Sequence, residues 1–216
     1  MNKSVFDQVF VWCVKKRSRI IFGFKLIYIF LLSLLFIGGW SIYSADKKFI
    51  FFYSLGLTLG RIAILVYILT TLPGITRRFG INHRFIQILM IFRRYLGICV
   101  FMLITIHFMW VRGIDILFKQ IIIVPTPVFQ LMGTGAYLLL MPMFLTSNDF
   151  SVKNLGKWWQ IIHNATYIII WLIFMHVAFQ RISIWSFLVG TTAVLQVSSH
   201  LYFRLKMSKQ VIPVSQ

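Results

Sequence analysis

The stretch LGKWWQIIHNATYIIIWLIFMHVAF, Leu155 to Phe179, decides the fold class. It is long enough to cross a bilayer, which takes about 20 apolar residues. It is rich in Ile, Trp, Phe and Met, and no acidic residue interrupts it. Yet it holds His163 and His176, thirteen residues apart. An ionisable side chain inside a membrane helix marks function by default, because its burial in hydrocarbon is costly.

Working outward, the same character fills the chain. Of 216 residues, 59% are hydrophobic and only 12% charged. A soluble domain carries about 25% charged residues. The composition therefore indicates an all-α integral membrane protein. Six spans are expected, at roughly 19–43, 50–72, 94–112, 126–146, 159–180 and 183–204. Pro73-Gly74 is expected to close the second span, and Pro125 and Pro127 to open the fourth. TSND at 146–149 ends the fourth, and Arg181-Ile182 makes a tight hairpin before the sixth. Residues 1–18 read as a basic N-terminal tail, 19–204 as one six-helix domain and 205–216 as a C-terminal tail. The first apolar run is too long for a cleaved signal and lacks its small-residue site, so it is expected to stay as a span.

The net charge of +18 comes from 22 Lys and Arg against four Asp. No aromatic-basic module for nucleic acid is visible. Sorted by side of the six expected spans, fifteen basic residues fall with the termini and five on the opposite side. The positive-inside bias then places both termini in the cytoplasm. Cys13 and Cys99 form no disulfide framework, and no C-x-x-C-H motif for covalent haem is present.

The intramembrane polar residues point to a cofactor. His107 lies about five residues from the outer end of the third span, and His176 about four from that of the fifth. Both spans run outward, so the imidazoles stand at matching depth, roughly 6–8 Å from the outer end. A depth-matched pair can clamp a haem iron from both faces, which offsets the cost of burying two rings. His163 lies roughly 20 Å deeper, towards the cytoplasm. Thirteen residues leave it well off the helical face of His176. A second, inner site there has three open versions: a ligand from Arg94, a ligand from His200, or an open position. Arginine stays protonated and is a poor iron ligand. Arg93 and Arg94 are better suited to haem propionates or a flavin phosphate. Arg61, within the second span, has either a propionate or the outer headgroups as its partner.

RRYLGICVFMLITIH (93–107), LGRIAI (59–64), MFLTS (143–147) and the pattern LG-x-x-W-x-x-x-H-N-x-x-Y from Leu155 to Tyr167 together resemble a known family. It is the haem-binding membrane subunit of the periplasmic methionine sulfoxide reductase system, the MsrQ or YedZ-like branch of the ferric-reductase-like transmembrane superfamily. The resemblance covers about residues 55–205. It implies a six-helix b-type cytochrome of the bacterial inner membrane with one or two haems b. His107, His163 and His176 match the family's haem-ligand histidines, and Arg93 and Arg94 its paired inner arginines. It further implies FMN association through the inner loops, and a cytoplasmic flavin reductase or quinol as donor. The implied acceptor is a periplasmic molybdenum-containing catalytic subunit that repairs oxidised methionine. The chain departs from the family in being richer in Ile, Phe and Lys and in carrying His200, which keeps other acceptors such as ferric iron in play. The competing class is a small proton or anion transporter that uses the intramembrane His and Arg residues. No nucleotide-binding domain follows the sixth span, so NAD(P)H oxidation by the chain alone is not expected.

Overall fold

The structure is a computed structural model that describes residues 4–121 and 125–211, with side chains through 208. Lys3, the side chain of Lys209 and residues 212–216 of the predicted C-terminal tail lie outside the described residues. The described residues are helical throughout, joined by short turns. The helices are α1 Val5–Lys15, α2 Arg17–Ser44, α3 Phe49–Arg78, α4 Arg84–Leu117, α5 Val128–Leu145, α6 Asp149–Leu155, α7 Lys157–Gln180 and α8 Ile184–Val211. Five of them, α2, α3, α4, α5 and α7, are long and apolar enough to cross a membrane. The expected sixth span corresponds to α8, a 28-residue helix. Its polar residues, among them Thr191, Thr192, Gln196, Ser198, Ser199 and His200, make it less apolar than those five.

Three expectations are corrected. Pro73 does not close the second span, because α3 continues through it to Arg78. A proline removes only one backbone hydrogen bond, here the one to the Leu69 carbonyl four residues back, and Pro73 is buried where neighbouring helices hold α3 together. The hydroxyls of Thr70, Thr71 and Thr76 nearby bond other carbonyls, those of Tyr67, Ile68 and Leu72 at 2.6, 2.8 and 2.9 Å. The third helix starts ten residues earlier than expected, at Arg84. His83 caps it by accepting from the Phe85 amide at 3.2 Å. The segment read as an N-terminal tail contains α1. That helix is capped by Ser4 and tied to α4 by the Asp7–Arg84 ion pair at 2.6 Å.

α3 packs mainly on α4, α5 on α7, and α8 against both α3 and α7. α2 lies on the outside of α3 and α4. Two buried apolar clusters result. One gathers Leu31, Ile42, Phe52, Leu59, Ile106 and Trp110 around α2, α3 and α4. The other gathers Tyr67, Val100, Leu140, Ile169, Ile170 and Val189 around α3, α4, α5, α7 and α8. The Tyr67 hydroxyl donates to the Thr166 carbonyl at 2.9 Å and so joins α3 to α7 inside the second cluster. Large apolar side chains such as Phe36, Trp40 and Phe187 point outward, as a lipid solvent requires.

Candidate functional site

α4 and α7 bring His107 and His176 to one cavity of about 720 Å³ between α3, α4, α5 and α7. That volume lies within the roughly 300–1,000 Å³ of cofactor and small-ligand sites. The two ring centroids are 6.4 Å apart and the rings are nearly perpendicular. Each Nδ1 faces a backbone carbonyl: Gly56 O at 3.0 Å for His107, and Phe129 O at 2.6 Å for His176. A carbonyl only accepts, so each ring carries its proton on Nδ1 and leaves the Nε2 lone pair free. Metal-ligating histidines are oriented in this way.

The chemistry of the donor set narrows what these rings could hold. A bound metal takes imidazole nitrogen at about 2 Å, which puts the centroids of two opposed rings about 6 Å apart. No cluster of three or more His, Cys, Asp or Glu side chains suited to a metal exists among the described residues. A pair of axial nitrogens with no equatorial protein ligands suits a macrocycle that supplies its own four donors. The residues therefore fit a haem.

Two glycines make the approach of the imidazoles feasible. Gly60 follows Gly56 by four residues on α3, and Gly133 follows Phe129 by four on α5. In each case the histidine bonds the carbonyl one helical turn before the glycine. A Cβ at Gly60 would fall 2.7 Å from His107 Nδ1, and one at Gly133 would fall 2.6 Å from His176 Nδ1. Both glycines were missed as site residues in the sequence. Glycine within an apolar helix, where it costs about 1 kcal/mol against alanine, was the available signal.

Arg61 lines the cavity, as do Arg112 and Arg181. The sequence had counted the last two only as loop charges. A single π-helical turn, Met109–Gly113, interrupts α4 just after His107. It carries Trp110 into the core, where its indole N–H donates to the Leu35 carbonyl at 3.2 Å. The same turn carries Arg112 to the cavity wall, with Nε buried and without a hydrogen-bond partner. A buried guanidinium donor at a cavity wall is matched by a carboxylate.

The predicted inner residues do not join this cavity. His163 stacks on Trp159 with centroids 4.1 Å apart, and its Nε2 lies 3.2 Å from Thr146 Oγ1. Trp159 is itself fixed by donating to the Thr146 carbonyl at 3.0 Å. Arg94 is paired with Asp149 at 2.7 Å, and Arg93 is exposed on α4. Arg94 holds the Asp149 carboxyl below the usual range through a direct hydrogen bond. His200 packs edge-on against Tyr167.

Residues 55–175 match the family described as ferric reductase like transmembrane component, which is more than half of the chain. The chain belongs to this family. It is similar to the protein named protein-methionine-sulfoxide reductase heme-binding subunit MsrQ from several bacteria. With that of Brucella ovis it is 32% identical over 139 residues, 62% of this chain and 59% of the relative. With that of Brucella anthropi it is 30% identical over the same length. With that of Rhizobium meliloti it is 32% identical over 85 residues, 36% of this chain and 38% of the relative. The chain thus spans less than two thirds of the length of these relatives. No solved structure matches it. The family match runs from the second turn of α3 to within one residue of His176, and so takes in His107 and His163.

Proposed function

We propose that this chain is a membrane b-type cytochrome that passes electrons to a periplasmic reductase repairing methionine sulfoxide. The observation that carries the reading is the imidazole pair. Two rings with Nδ1 tied to backbone carbonyls present free Nε2 atoms to one cavity at 6.4 Å between centroids. Bound there, a haem supplies one-electron chemistry. His107 and His176 would hold it through their Nε2 atoms. The Gly56 and Phe129 carbonyls fix their tautomer and raise their basicity. Arg112, Arg61 and Arg181 supply cations for propionates at the cavity wall.

The reading has six spans with α8 as the last, both termini in the cytoplasm and the histidine pair near the outer face of a bacterial inner membrane. The fifteen-to-five basic asymmetry supports that orientation. The acceptor is a molybdenum-containing catalytic subunit, by analogy with the system named for the MsrQ relatives. The donor is a cytoplasmic flavin reductase or a quinol, with FMN as a further cofactor. A second, inner haem would take His163 once its Nε2 leaves the Thr146 hydroxyl, with Arg93 and Arg94 towards propionates or a flavin phosphate.

The test is the spectrum of the purified protein. A dithionite-reduced sample should show sharp low-spin b-type bands, with the outer haem's share lost in His107→Ala and in His176→Ala and the whole signal kept in His83→Ala. His163→Ala should remove only the inner haem's share. A colourless, folded protein from haem-replete cells overturns the cytochrome and favours the transporter reading. Full low-spin haem in His107→Ala overturns the pairing.

A further inference from the structure

Towards the end of the bundle away from the His107–His176 pair, a second cavity of about 310 Å³ lies between α7 and α8. Tyr167 and Trp171 of α7 form one wall, with Gln196, His200 and Arg204 of α8 on the other. Gln196 is only 4% exposed, yet its Oε1 has no hydrogen-bond partner. One helical turn on, His200 Nε2 is also buried and unpartnered. Such groups are costly to leave unpaired in an apolar setting. Two of them on one helix face, lining one cavity, point to a ligand that bonds both.

Depth and charge define that ligand. Arg204 follows Ile184, the first residue of α8, by twenty residues, which is about 30 Å of helix. That length matches the hydrocarbon core, so Arg204 stands at headgroup level when Ile184 lies at the opposite face. Side chains on a helix lean towards its N-terminus, so the Arg204 guanidinium reaches back towards His200. Val197 and Leu201 also line the cavity and are 44% and 58% exposed, so its mouth opens on the apolar outer surface of the bundle. In a membrane-spanning chain that surface faces lipid. The chain offers Arg204 no carboxylate side chain. Its four Asp are engaged elsewhere: Asp7 with Arg84, Asp115 with Lys119, Asp149 with Arg94, and Asp46 with the Ser41 hydroxyl and the Lys48 amide. Arg78, which donates to the Tyr167 hydroxyl and to Ser199 Oγ, adds a second cation behind the aromatic wall.

We propose that this cavity binds the head of an anionic diacyl phospholipid from the leaflet at the C-terminal end of α8. The phosphodiester sits between the Arg204 guanidinium and the His200 Nε2–H, which supply charge-assisted bonds. The glycerol link brings an ester carbonyl one helical turn deeper, to Gln196. There the side-chain amide turns its NH₂ end into the cavity, because a carbonyl only accepts and the two ends of the amide are alike in shape. An acyl chain runs along Trp171 and leaves over Leu201. A head of net negative charge is selected over a zwitterionic one, because the mouth has cations and no carboxylate to pair an ammonium. The lipid thereby satisfies the polar face of α8, which is less apolar than the five other spans, and secures it against α7, which carries His176. The inference rests on the reading of α8 as the sixth span and not on the haem.

The test uses the full chain, stripped of lipid in detergent, with bound lipid counted by native mass spectrometry. Phosphatidylglycerol, phosphatidylcholine and inorganic phosphate are the probes. Wild type should bind about one equivalent of phosphatidylglycerol, about fivefold or more tighter than phosphatidylcholine, and inorganic phosphate should not displace it. Arg204→Gln, Gln196→Leu and Leu201→Trp should each weaken it by about fivefold or more, the loss of roughly one hydrogen bond or of access. Leu201→Trp closes the mouth from its exposed rim without touching the buried polar pair, so the test stands even where Gln196→Leu fails to fold. Arg17→Gln, an exposed charge on α2 that does not line the cavity, should bind as wild type does. Equal phosphatidylglycerol affinity in wild type and the cavity variants overturns the site, and equal affinity for the two lipids overturns the anionic head. An equal loss in Arg17→Gln reduces the binding to bulk charge and counts against the cavity. Displacement by phosphate makes it a site for a free anion and sinks the lipid. Selective lipid binding by a protein without haem supports the site and overturns the cytochrome; haem without selective lipid binding overturns this inference alone.

Discussion

Alanine at position 60 should loosen the haem without unfolding the bundle. The new Cβ would lie 2.7, 2.9 and 3.0 Å from Nδ1, Cε1 and Cγ of His107, where ordinary contact begins at 3.4 Å. The nearest atom must therefore retreat by about 0.7 Å, since a packed interior offers little slack. The Nδ1 contact to the Gly56 carbonyl is 3.0 Å. A retreat away from α3 stretches it to about 3.7 Å, beyond hydrogen-bond range. Loss of the partner that orients a metal-ligating histidine costs about 10–100-fold in metal affinity. Overpacking adds about 1–3 kcal/mol of strain, against which alanine's better helix propensity returns up to about 1 kcal/mol. Haem per protein by pyridine haemochrome, together with a haem-transfer affinity, reads the effect. Gly133→Ala, whose Cβ would lie 2.6 Å from His176 Nδ1, should behave alike. Gly23→Ala is the control, because nothing lies within 4 Å of its Cβ position. Unchanged haem affinity in both Gly60→Ala and Gly133→Ala would refute the argument that these glycines seat the axial imidazoles.

Replacing Arg112 by leucine removes a cation from the cavity wall and should lower the haem midpoint potential. About 1 kcal/mol of lost charge stabilisation is roughly 40 mV for one electron; an unchanged or raised potential by redox titration counts against the propionate role. A C-terminal fusion to a reporter active only in the periplasm should be silent, and strong activity would reverse the orientation argued from basic residues. Asp149 is held below the usual carboxylate range by Arg94, so the folded state favours its charged form. That contribution is complete above the ordinary carboxylate pKa and fades as pH falls through the lowered value. The melting temperature of Asp149→Asn should therefore trail wild type slightly at neutral pH, because the pair is exposed, and converge with it in acid. A gap that widens towards acid contradicts the sign.

The sequence alone determined the fold class, the apolar segments and the side towards which charge is biased. Each follows from composition and period over twenty or so residues, which the bilayer imposes locally. It also picked out His107 and His176 as a pair, because depth along a straight helix is a matter of counting residues. Helix ends were less legible. Whether Pro73 stops a helix depends on its burial in the bundle, not on the proline itself. The start of α4 at Arg84 and the presence of α1 were likewise set by a His83 cap and by packing between α1 and α4.

Only the tertiary structure decided what faces what. Gly60 and Gly133 matter because histidines from other helices press against them, and Arg112 because a π-turn shifts the register that would have aimed it elsewhere. In sequence His163 was the inner candidate and His200 one of three open choices for its second ligand. In the fold one stacks on Trp159 beside Thr146, and the other stands with Gln196 in a separate cavity. Such pairings depend on how α3, α5, α7 and α8 rotate about their own axes. Rotation is fixed by side-chain packing between helices and is invisible to a period read along any one of them.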